Sequence, residues 1–154
     1  MKFVSVVLNL ANLDEPKKIQ VFYERTLAGI VNNISISVKC DCLIAKPKTP
    51  MKPAAPYFFL QDGSPMRFKR TKSDIHDPEG QMLASMIMAQ AINQDEWPLY
   101  GCWLQGKNWY FTVLKGRQYC VSRQYDATQE GDLLQIVYIL RKLKTLILAR
   151  VQPA

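Results

Sequence analysis

Four residues in the middle of the chain have the side chains that metal-assisted hydrolysis needs: Asp41, Asp62, Lys69 and Gln81. Asp41 lies between two cysteines in "CDC", and Asp62 closes the apolar run "YFFLQD". Lys69 follows in the basic segment "RFKR", and Gln81 stands near the head of "DPEGQMLASMIMAQAIN". Two aspartates that converge on one point can hold a hard cation, Mg²⁺ or Mn²⁺. Mg²⁺ takes oxygen ligands in octahedral geometry and commonly uses one or two carboxylates, with water and substrate phosphate completing its shell. Such an ion activates water and polarises a phosphate, and a nearby lysine stabilises developing negative charge or positions the attacking water. Together these are the parts of a phosphodiesterase site.

Each residue also has a plainer reading. Asp62 before Gly63-Ser64-Pro65 is a good turn opener, Lys69 is ordinary surface charge, and Gln81 is an exposed helix residue. Asp41 is harder to place in that way, because an aspartate in mid-strand that faces a neighbouring element needs a partner or a metal. The single histidine, His76, excludes a His-rich metal site, and the chain has no GxSxG, P-loop or GxGxxG motif. Of the four cysteines, Cys40 and Cys42 stand two apart, so in a regular strand they leave the same face, with Asp41 on the other. They are awkward disulfide partners and read as small hydrophobes. A zinc site built from all four cysteines, or from three with His76, is the alternative.

The elements that position these residues follow from periodicity. From Asp14 the apolar residues Ile19, Phe22, Tyr23, Leu27 and Ile30 recur at mostly three- and four-residue spacing, which predicts a helix with Pro16 in its first turn. "ISISVKCDCLIAKP" is rich in β-branched residues and predicts a strand, and the proline-marked "KPKTPMKPAAP" predicts a loop into the strand "YFFLQD". Asp77 is a plausible N-cap for a helix with Pro78 at its first position and Met82, Leu83, Met86 and Ile87 along its core stripe. "LYGCWLQGKNWYFTVLKGRQYCVSRQYD" predicts three antiparallel strands turning at "QGKN" and "KGR", in which Trp103, Trp109 and Tyr110 read as sheet-face residues before base-stacking ones. The last segment predicts an amphipathic helix with Arg141, Lys142, Lys144 and Arg150 near its end, a solvated face before a phosphate-binding one.

A length of 154 residues suits one domain over 1–154 with its own core. The net charge of +7 favours polyanionic partners, nucleic acid first. No apolar run reaches the roughly 20 residues that cross a bilayer, and Ser5 and Asn9 interrupt the signal-like start, so the expectation is a cytoplasmic protein without a membrane partner.

The order helix, "CDCLIAKPK", "YFFLQD…FKR", helix with Gln81, antiparallel strands resembles the restriction-endonuclease-like PD-(D/E)XK nuclease superfamily, and in particular its small uncharacterised bacterial members. The resemblance implies an α/β fold with a mixed, mostly antiparallel sheet flanked by helices. It also implies Mg²⁺-dependent hydrolysis of DNA, and it is compatible with a homodimer. In its pattern Asp41 matches the first aspartate, Asp62 the second acid and Lys69 the lysine, while Gln81 matches a helical glutamine that braces the site. Glu24 is the nearest match to a glutamate that some members carry on their first helix and would join Asp41 and Asp62 at the metal. The pattern departs at the lysine: two residues after Asp62 stands Ser64, and "GSPMR", residues 63–67, reads as an insertion between acid and lysine. With a degenerate site, the same fold would serve as a catalytically inactive module that binds nucleic acid or protein.

Overall fold

A computed structural model describes residues 2–64 and 77–151. Its elements are α1 (Lys2–Ala11), β1 (Gln20–Val31), β2 (Ile34–Thr49), β3 (Lys52–Ser64), α2 (Pro78–Asn93), β4 (Leu99–Gln105), β5 (Asn108–Lys115), β6 (Gln118–Val121), β7 (Tyr125–Asp126) and α3 (Glu130–Val151). The strands described form one open sheet in the order β1-β2-β3-β4-β5-β6, with β7 added to β5. Neighbours are antiparallel except β3 and β4, which are parallel and flank the crossover that contains α2. The fold is α/β with a mixed, mostly antiparallel sheet, and no described helix is long and apolar enough to cross a membrane.

Tight hairpins follow from residues that accept positive φ. Asn32 and Asn33 (φ 49° and 66°) close β1 onto β2, and Gly106 (φ 61°) and Gly116 (φ 60°) sit at the turns on either side of β5. Helices cover both faces of the sheet. Val7, Leu8 and Ala11 of α1 and Ile136, Leu140 and Ile147 of α3 pack with Ile44, Phe59, Leu104 and Trp109 on one face. On the other face Met82, Met86 and Ala89 of α2 pack with Leu43, Leu60, Trp103 and Leu114. Gly101 of β4 lets α2 approach closely: a Cβ there would lie 2.6 Å from Thr112 Oγ1 and 2.8 Å from Met82 Sδ.

Four expectations need correction. The segment with helical spacing is strand β1, and the helix at this end is α1, to which the sequence reading assigns no element. The spacing misleads because β1 changes face midway: Phe22 and Leu27, five residues apart, both pack toward α2, whereas residues an odd number apart in a regular strand point to opposite sides. The change occurs at Glu24, whose φ is 53°. In β2 the same change separates Cys40, packed toward α2, from Cys42, packed toward α3, so the two cysteines do not share a face. Tyr23↔Cys42 and Arg25↔Cys40 pair on either side of the break, which puts Glu24 across from Asp41.

The proline-marked "loop" is also largely strand. β2 and β3 run to a tip at Pro50 and Met51, whose carbonyls accept hydrogen bonds from the Gln20 amide (2.9 Å) and the Arg25 guanidinium (3.1 Å) of β1. Register shifts follow Ile44 in this hairpin, and Asn93 at the end of α2 satisfies Tyr57 there, accepting from its N–H (2.6 Å) and donating to its C=O (2.7 Å). Finally, Gly63 and Ser64 do not break the chain: they continue β3, paired with Leu104 and Gln105.

Filling the space at Gly101 should be costly. Gly101→Ala is expected to lower stability by about 1–3 kcal/mol in chemical denaturation, because Thr112 and the two methionines must move.

Candidate functional site

β2 and β3 pair as far as Cys42↔Gln61 and then separate, while β3 stays paired with β4 through Ser64. At this fork the strand amides lose their ladder partners, and buried backbone N–H groups need an acceptor. Two carboxylates supply it reciprocally. The Asp41 N–H donates to Asp62 Oδ1 (3.1 Å), and the Gly63 N–H donates to Asp41 Oδ2 (2.8 Å). Asp41 and Asp62 therefore meet across neighbouring strands, each bonded to the other's strand.

Their surroundings differ. Asp62 is only 4% exposed, under α2, where Ser85 Oγ donates to Asp62 Oδ2 at 3.4 Å. Burial pushes its pKa up to about 6 and the neighbouring charge of Asp41 adds to the rise, against the opposing effect of the hydrogen bonds from the Asp41 amide and Ser85. Asp41 and Gly63 are half-buried, so the fork opens to solvent on their side. The Cys40 thiol, fully buried, donates to the Cys42 carbonyl at 2.8 Å, and burial together with the Asp62 charge pushes it well up, so it stays a thiol. Beside the pair, Gln61 is also fully buried, yet neither atom of its side-chain amide has a hydrogen-bond partner among the described residues.

Of the other site residues of the sequence reading, Gln81 is not joined to the pair and Glu24 stands on the adjoining strand, across from Asp41. Gln81 is exposed in the first turn of α2, its backbone N–H bonded to the Asp77 carbonyl, and no hydrogen bond joins its side chain to either carboxylate among the described residues. The α2 residue that reaches Asp62 is Ser85, one turn further on. Glu24 is exposed on β1, and among the described residues no group of three His, Cys, Asp or Glu side chains is placed to hold one metal ion. Lys69 and His76 lie outside the described residues. For a four-cysteine zinc site, Cys40 and Cys42 face opposite ways and Cys120 is exposed on β6.

Near the end of α3, Arg141 donates to the Leu10 carbonyl, Lys144 pairs with Glu15, and Arg150 pairs with Asp95 between the rings of Phe58 and Trp97, while Arg141 and Lys142 stay exposed. Trp109 is fully buried, and Trp103 stacks on Tyr110 with centroids 4.0 Å apart, so these aromatics belong to the sheet faces. Ser85 and Gln61 are the residues that sequence reasoning missed. A faint signal existed for each: Ser85 is a small polar residue on the stripe of Met82, Met86 and Ala89, and Gln61 interrupts an apolar strand whose two faces are both covered.

Comparisons of the chain with protein-family models, with curated proteins and with solved structures find no match.

The raised pKa of Asp62 sets a sign for the pH dependence of stability. The folded state holds this proton up to about pH 6 and the unfolded state only to about 4, so between those values the folded state binds more protons and stability falls as pH rises. In buffer free of divalent cations the stability lost approaches about 3 kcal/mol above pH 6, at 1.36 kcal/mol per unit. Asp62→Asn should flatten the stability profile between about pH 4 and 6 in urea titrations. An unchanged slope would assign that dependence to other groups.

Proposed function

We propose that this chain is a divalent-cation-dependent phosphodiesterase of restriction-endonuclease-like core that hydrolyses DNA, with the Asp41–Asp62 pair as its cation site. The observation that carries this reading is the meeting of two carboxylates at the β2–β3 fork, one half-buried and one buried. Like charges this close disfavour each other's ionisation, and a bound cation relieves both. The donor set fits a hard ion: both ligands are oxygen, Asp41 Oδ1 carries no hydrogen bond among the described residues, and Ser85 holds Asp62 Oδ2 only at 3.4 Å. Access from the Asp41 side suits water and a phosphate as further ligands.

The ion would supply the activation of water and the polarisation of the phosphate. The chain's own residues hold and aim: the Gly63 and Asp41 amides fix one oxygen of each carboxylate, and Ser85 orients the second oxygen of Asp62. The fork lies toward the carboxyl ends of the parallel strands β3 and β4, where ligands bind in open α/β sheets. A net charge of +7 attracts the phosphate backbone. Lys69 is the chain's counterpart of the family lysine and is proposed to stabilise charge developing on the phosphate.

A second reading has its own observation. The reciprocal amide bonds give Asp41 and Asp62 a complete structural task without any ion, as expected of a non-catalytic binding module. Incubation with supercoiled plasmid, linear duplex and single-stranded DNA in Mg²⁺ or Mn²⁺ separates the two. Cleavage is expected, lost in EDTA and reduced more than about 100-fold by Asp41→Ala. DNA binding without cleavage under every condition would favour the binding module.

A further inference from the structure

The fork holds one polar group that neither the fold nor the paired aspartates use. Gln61 precedes Asp62 on β3, is completely buried, and has both Nε2 and Oε1 unpartnered among the described residues. An unsatisfied buried amide costs about 1–3 kcal/mol per group, so its retention here calls for a partner. The position of the amide identifies where that partner sits. A Cβ built on Gly63 would lie 3.3 Å from Gln61 Nε2 and 3.6 Å from Asp41 Oδ2. The missing side chain of Gly63 thus leaves a small space bounded by the Gln61 amide on one side and the Asp41 carboxylate on the other.

We infer that Gln61 is a third protein ligand of a divalent cation held at the Asp41–Asp62 fork, with its amide oxygen facing the space at Gly63. The inference rests on the cation reading of the fork and extends it to a residue outside the acid pair. Among the described residues neither amide atom is hydrogen-bonded; Nε2 faces Gly63, and a half-turn about the last side-chain bond, favoured once a cation lies beside Asp41, brings the oxygen there. Carboxylate and amide oxygens are both hard ligands of the kind that Mg²⁺ and Mn²⁺ accept. The half-buried Asp41 and Gly63 give the ion its way in.

Mn²⁺ titration of the full chain, followed by the electron-spin-resonance signal of the free ion, tests this directly. The wild type is expected to bind Mn²⁺. Gln61→Leu should weaken binding about 10–100-fold while its unfolding midpoint in EDTA stays equal or rises, because an unsatisfied amide is replaced by an apolar group of similar size. Gly63→Ala, which puts a methyl group against the Gln61 amide and into the space beside it, should weaken binding as well and covers the case in which Gln61→Leu does not fold. Gln61→Glu should bind Mn²⁺ at least as tightly as the wild type. Wild-type affinity in both Gln61→Leu and Gly63→Ala would overturn the role of Gln61 and leave the acid pair standing as the site. Absence of Mn²⁺ binding by the wild type would overturn the cation reading itself, and this inference with it.

Discussion

Everything proposed for this protein depends on how two sheet strands part company. β2 and β3 cannot separate within a covered sheet unless their amides find new acceptors, and the acceptors are the side chains of Asp41 and Asp62. The same two bonds that close the fork also fix the carboxylates next to each other. Structural need and chemical potential therefore share one pair of residues. The arrangement has an electrostatic cost, visible in the pKa of Asp62 at about 6, because burial and the second carboxylate both oppose its charge. A group held in this way gains more from a cation than a solvated aspartate would.

The fork is in turn set up by the face change in the β1–β2 ribbon. Glu24 in a left-handed conformation lets β1 turn its inward face, and β2 follows at Asp41, so that Leu27 and Cys40 continue to pack against α2 beyond the break. A regular β2 would carry Asp41 on the face opposite Cys40 and Cys42 and leave it no path to Gly63. Covering the ribbon by α2 requires close approach, which Gly29 provides: a Cβ there would sit 2.7 Å from Met88 Cε. The residue that resembled a metal ligand, Glu24, thus has its clearest role in the backbone.

Much of this fold was legible in the sequence. The helices over Pro78–Asn93 and Glu130–Val151 carry clear apolar stripes, Asp77 accepts the Gly80 N–H as its cap, and the Gly-containing turns of the meander fall where positive φ is needed. β1 was not legible, because its face change converts an alternating pattern into one that mimics helical spacing. The prolines at 47, 50, 53 and 56 concealed the β2–β3 hairpin, since proline argues for loop, yet here the strands are bulged and held from the side by Asn93. Of the site, the two aspartates could be picked out because carboxylates next to apolar runs are conspicuous. Ser85 and Gln61 gave only a faint signal, since a polar residue in a buried pattern looks like a surface position until the second layer is known to cover it.

The central claim is that the buried carboxylate of the fork answers to a divalent cation. Its most direct measurement is a carboxyl-carbon magnetic resonance titration of Asp62 in the full chain, with and without Mg²⁺. The account predicts a midpoint near pH 6 without the ion, and a midpoint lowered by more than one unit at saturating Mg²⁺. An Asp62 carboxyl that titrates identically in both conditions would contradict it.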